Sequence, residues 1–121
     1  MTFGETEPSE IYGGATAPAA PGLQVTFDRR ELNRIFGLYG RMVAAGEWRD
    51  YAIDHGRDKA IFSIFRRTSE MPLYRIEKNP RLAHRQGIYS VVAEGGTILR
   101  RGDDLARVLG VLVRHLQLVS V

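Results

Sequence analysis

The stretch Lys59–Pro80, KAIFSIFRRTSEMPLYRIEKNP, decides the fold. Ala60–Phe65 is apolar at almost every position, as in a strand flanked on both faces, and Thr68–Pro72 interrupts it with turn-forming residues. Leu73–Lys78 then resumes an extended pattern in which charged residues alternate with Tyr74 and Ile76. The pair reads as an antiparallel hairpin. A loop at Thr68–Pro72 sets Ile64 against Ile76 and Phe62 against Lys78.

Upstream, Trp48–Asp54 is predicted as a strand, with His55–Asp58 as its turn. That loop pairs Ile53 with Ala60, Tyr51 with Phe62 and Arg49 with Ile64. A loop longer by one residue would set Asp50 against Phe62. Side chains alternate between faces, so a one-residue slip exchanges the whole set, and the shorter loop is preferred. The core face then holds Tyr51, Ile53, Ala60, Phe62, Ile64, Tyr74 and Ile76. The other face holds Trp48, Ala52, Ile61, Phe65 and Leu73 with Asp50, Asp54, Arg67, Arg75 and Glu77.

Before these strands, Leu23–Phe27 alternates like a short strand. Asp28 and Glu31 have the spacing of a capping box, and Phe27 and Leu32 that of a hydrophobic staple. Leu32, Ile35, Phe36, Tyr39, Met42 and Val43 then recur on one face of a helix that Gly46 suits as a terminator. Arg30, Asn33, Arg34, Gly37 and Arg41 occupy its opposite face. Gly37 and Gly40 each cost about 1 kcal/mol against alanine in a helix interior, which close approach of another backbone, or else a local kink, would explain. Beyond Pro80, a polar connection with room for one helical turn leads to a strand at Ile88–Ala93, a turn at Glu94–Thr97 and a return strand at Ile98–Arg100. A second helix follows, with Asp103 and Asp104 in its first turn and a stripe of Leu105, Val108, Leu109, Leu112, Val113 and Leu116. The expected fold is α+β: an antiparallel meander of four to five strands with two helices packed on one face.

The 121 residues suffice for one domain. Residues 1–22, rich in Gly, Ala, Pro, Thr and Glu, are expected to be a disordered tail, and residues 23–121 the domain. The tail carries three glutamates and no basic residue, a charge of −3; the domain has 17 basic residues against 11 acidic, a net of +6. That balance favours anionic partners through the long-range field. There is no cysteine, so disulfides, thiolate metal ligands and thiol nucleophiles are excluded. No apolar run approaches the ~20 residues of a membrane-spanning helix, and the first ten residues are acidic where a signal peptide would be basic. A cytoplasmic location is expected.

Catalytic motifs are lacking: there is no Walker loop, dinucleotide glycine pattern, nucleophile elbow or zinc-protease helix. His55, His84 and His115 are widely spaced and read as a turn residue, a loop residue and a helix end. Asp50, Asp54 and Glu77 share the outer sheet face with Arg67 and Arg75, which makes cross-strand ion pairs the expected arrangement. The chain is therefore expected to be non-enzymatic, with no cofactor and no metal.

Two surfaces are candidates for binding. Basic residues interleave with an aromatic in Arg66, Arg67, Tyr74, Arg75, Lys78, Arg81 and Arg85, and Arg100 and Arg101 precede the second helix; this combination suits phosphate contact and base stacking. Nucleic acid is the first partner it suggests, although Asp50, Asp54 and Glu77 oppose a phosphate backbone on the same face. Alternatively, Trp48, Ile61, Phe65 and Leu73 make an apolar patch on the open sheet face, fit for a protein partner or a homodimer.

The segments FDRRELNRIFGLYGRMVAAGEWRDYAID, FSIFRRTSEMPLYRIEKNP, IYSVV and LRRGDDL resemble an uncharacterised alphaproteobacterial domain-of-unknown-function family over about residues 25–119. The resemblance implies a small bacterial cytoplasmic protein whose tail lies outside the shared unit. It brings no activity, cofactor or site residue with it.

Overall fold

A computed structural model describes residues 24–67 and 71–120, with side chains as far as Val113. Helix α1 (Arg29–Ala44) is followed by strands β1 (Asp50–His55), β2 (Ala60–Phe65), β3 (Tyr74–Lys78), β4 (Tyr89–Ala93) and β5 (Ile98–Gly102), then by helix α2 (Leu105–Ser120). All neighbouring strands are antiparallel, and the sheet order equals the chain order, so the fold is an α+β meander with two helices. The tail assigned to residues 1–22 lies outside the described residues, and the described part of the Leu23–Phe27 stretch forms no strand.

Helix α1 starts where the spacing placed it. The Glu31 N–H donates to Asp28 Oδ1 at 2.8 Å, and the Asp28 N–H donates to Glu31 Oε1 at 2.7 Å, closing the capping box. Phe27 is buried and Leu32 packs on the core, as the staple requires. Gly46, at φ 79°, takes the left-handed position just past the helix end. Gly37 and Gly40 correct the expectation of a close backbone neighbour, since a Cβ at either would meet nothing within 4 Å.

The core lies between the sheet and both helices. Phe62, Ile64 and Ile76 from the sheet, Ile35 from α1, and Val108 and Leu112 from α2 are each at most 1 % exposed. Phe36 meets Phe62 edge-on at 5.3 Å, and Tyr51 stacks on Phe62 at 5.2 Å with planes 6° apart. The expected core face of β2 and β3 is thus the buried one.

Both hairpin registers differ from expectation by two residues. Ile53 pairs with Phe62 and His55 with Ala60, because the four-residue turn is Gly56–Lys59, closed by the Gly56 N–H donating to the Lys59 carbonyl at 3.0 Å. In the second hairpin Ile64 pairs with Tyr74 and Phe62 with Ile76, with β2 ending at Phe65, before Arg66 and Arg67. A slip of two keeps every side chain on its face, so the faces survive while the partners change.

Trp48 requires a larger correction. It precedes β1, so strand alternation does not govern it; the residue is 3 % exposed, its ring against those of Tyr39 and Tyr74 at 6.1 and 6.2 Å. Asp103 and Asp104 also stand before α2 rather than in its first turn: Asp103 accepts from the Ile88 N–H at 3.0 Å, and the Asp104 carbonyl accepts from the Val108 N–H. The Pro80–Leu82 segment is the expected single turn, of 3₁₀ form, with Asn79 capping Arg81.

Candidate functional site

The basic stretch of the second hairpin does not form one surface. Arg66 and Arg67 lie exposed past β2, at the Tyr74 end of β3, whereas Lys78, Arg81 and Arg85 belong to its far end, about 13 Å along the strand. Tyr74 is 5 % exposed and packs on Trp48, so it offers no face for stacking. Arg75 Nε pairs with Glu77 Oε2 at 3.2 Å, and Lys59 Nζ pairs with the same carboxylate at 3.1 Å. Arg81 pairs with Asp58 at 3.4 Å. Arg100 and Arg101 point to opposite faces, opposite Val91 and Ser90, and Arg101 donates to the Gln86 side chain. Arg85 is exposed.

The expected apolar patch also shrinks. Trp48 belongs to the core, and Leu73 packs against the core, its N–H donating to the Ile64 carbonyl. Ile61 and Phe65 remain, half-buried, on the outer sheet face. Between them Ser63 lies opposite Arg75, and a long side chain beside a small one fits the burial of Ser63 at 6 %.

Lys78 leads to a different part of the molecule. Its Nζ lies 2.8 Å from Glu31 Oε1 and 2.8 Å from the Thr26 carbonyl oxygen. Glu31 Oε2 accepts from the Tyr89 hydroxyl. One carboxylate, 8 % exposed, therefore joins the start of α1 to the ends of β3 and β4 and accepts from three donors. Burial, the hydrogen bond to Glu31, and the negative charges of Glu31, Asp28 and Asp103 raise the Tyr89 pKa well above its usual value. A carboxylate so fully engaged is a structural joint rather than a free base. Sequence reading saw Glu31 only as a cap; its other partners are 47 and 58 residues away, and no local pattern links them.

Beside this joint, a cavity of about 370 Å³ opens between the N-terminal ends of the two helices. Asp28, Arg30, Glu31 and Arg34 line it from the start of α1, and Asp103, Asp104 and Ala106 from the start of α2. A second hollow of about 140 Å³ continues between the helices, lined by Arg34, Leu38 and Arg41 of α1 and by Ala106, Leu109, Gly110 and Val113 of α2. Arg34 and Ala106 border both, so the two hollows form one groove along helices that run side by side in the same direction. Its first end is acidic and its middle basic. Arg30, Arg34 and Arg41 recur on one face of α1, exposed, and none has an ion pair with a described residue. Among the described residues no group of three or more His, Cys, Asp or Glu side chains is placed to hold a metal ion, and no helix is long and apolar enough to cross a membrane.

A family model described as "Protein of unknown function (DUF2794)" matches residues 25–109, from the entry to α1 through the first part of α2. No curated protein and no solved structure matches the chain.

Proposed function

The chain belongs to this family of proteins of unknown function, and from that premise we propose that it is a non-catalytic binding domain that takes nucleic acid along the basic face of α1. The observation that carries the reading is the contrast between the two arginine sets. Arg75, Lys78 and Arg81 are neutralised by acids of the fold, whereas Arg30, Arg34 and Arg41 line an open groove without such partners. Guanidinium groups spaced along a helix suit successive phosphates of one strand. The aspartates at the first end of the groove repel phosphate and confine a backbone to the Arg34–Arg41 stretch.

The test is a salt titration of the full chain against single-stranded DNA and RNA oligonucleotides. Phosphate contacts require the affinity to fall steeply as salt rises. Arg34→Ala and Arg41→Ala should each weaken binding and flatten the salt slope by about one phosphate contact, whatever the base sequence. Arg75→Ala and Arg81→Ala should leave it unchanged. Absence of binding at low salt, or sensitivity confined to Arg75 and Arg81, overturns the reading.

A further inference from the structure

We propose that the inter-helix groove has an occupant within this chain: the acidic segment Glu5–Tyr12, ETEPSEIY, seated along Arg34 and Arg41. The segment lies outside the described residues, and four properties on either side of the contact argue for the pairing.

The first is charge. Glu5, Glu7 and Glu10 are the only ionisable side chains of residues 1–22 apart from Tyr12, and they oppose a helix that holds Arg29, Arg30, Arg34 and Arg41 against the single acid Glu31. Glu31 is already spent on Lys78 and Tyr89. The second is reach. The Val25 N–H donates to the Gly56 carbonyl, and the Thr26 carbonyl accepts from Lys78, so the chain arrives beside the N-terminal end of α1, where the groove opens. From Asp28 to Arg41 the helix rises about 20 Å, whereas the residues between Tyr12 and Gln24 can extend over about 40 Å. The third is register. Asp28, Asp103 and Asp104 repel glutamates from the near end of the groove, which leaves Arg34–Arg41 as the compatible site. The fourth is the floor. Leu38, Leu109 and Val113 are apolar, and Gly110 leaves room because a Cβ there would meet nothing within 4 Å; Ile11 and Tyr12 follow Glu10 directly and supply the matching apolar groups.

The segment and an anionic partner then compete for Arg34 and Arg41. This consequence rests on the nucleic-acid reading above; the seating of the segment does not.

The chain has no cysteine, so Ser9→Cys gives a unique position for a nitroxide spin label on the 121-residue chain. At low salt the label should broaden the amide signals of Arg34, Leu38, Arg41 and Gly110 selectively. The broadening should vanish with Arg34→Glu/Arg41→Glu, and in about 1 M salt, where the Debye length is about 3 Å. Even broadening over the whole domain, or broadening centred on Ile61 and Ile98 of the outer sheet face, overturns the proposal. So does broadening that appears only on an unlabelled isotopic copy mixed with a labelled one, because the occupant would then be a second molecule. In parallel, Glu5→Gln/Glu7→Gln/Glu10→Gln in the full chain should raise oligonucleotide affinity roughly three- to tenfold, since a tethered competitor acts at about millimolar effective concentration. Selective broadening in a protein that binds no oligonucleotide would uphold the seated segment and remove only the nucleic-acid reading.

Discussion

The Tyr89 hydroxyl donates to Glu31 Oε2 across 58 residues of sequence, tying the start of β4 to the first turn of α1. Glu31 is the same residue that completes the capping box, so one carboxylate fixes both where α1 begins and where it sits on the sheet. Tyr89→Phe keeps the ring and removes the donor. It should destabilise the domain by about 1–3 kcal/mol, the cost of leaving a buried charged acceptor short of a partner. A lower urea midpoint at unchanged slope would show it.

The same phenol sets an alkaline limit. The folded pKa of Tyr89 is raised, by burial first and then by Glu31, and burial raises Tyr39 and Tyr74 as well. Above about pH 10 the unfolded chain loses phenolic protons that the native protein keeps, so stability falls as pH rises. The contribution is complete below the unfolded value and disappears as pH passes through the folded one. Thermal unfolding followed upward from about pH 9 should show this decline, and Tyr89→Phe should make it shallower.

Three glycines separate open space from close packing. Gly37→Ala and Gly40→Ala place a methyl group where nothing lies within 4 Å, and each should stabilise the helix by about 0.5–1 kcal/mol. Gly87 differs in both respects: φ is 97°, and a Cβ would lie 2.5 Å from the Gly102 carbonyl carbon. Gly87→Ala should cost at least about 2 kcal/mol. Melting temperatures of the three variants, moving in opposite directions, would check the assignment.

Trp48 is the single tryptophan, buried with no hydrogen-bond partner for Nε1 among the described residues. Its emission should be blue-shifted in the native state, protected from iodide, and red-shifted on unfolding. Trp48→Phe gives up packing but no hydrogen bond, so it should cost well under the about 3–5 kcal/mol expected of Trp48→Ala. Equal losses in the two variants would mean that the indole nitrogen has a role the geometry does not show.

Elements governed by neighbours in the chain were legible from sequence. Asp28 and Glu31 announce the capping box because its bonds close over three residues. Phe62, Ile64, Tyr74 and Ile76 announce the core face because strand side chains alternate with period two. The same periodicity hides the register, since Tyr51 meets an apolar partner whether it faces Phe62 or Ile64. Trp48 was misplaced for a related reason: alternation was extended to a residue that precedes the strand.

The basic stretch Arg66–Arg85 shows where local reading stops. Composition marked it as positive, but which charges stay available depends on acids brought from elsewhere: Glu31 to Lys78, Asp58 to Arg81. Sequence alone determined the class of the fold, the start of α1 and the faces of the strands, because periodicity and capping act within a few residues. Tertiary structure decided the strand partners, the Glu31 joint and which basic side chains pair with described acids. Charge pairing acts through space, and chain folding alone sets which distant residues come within its reach.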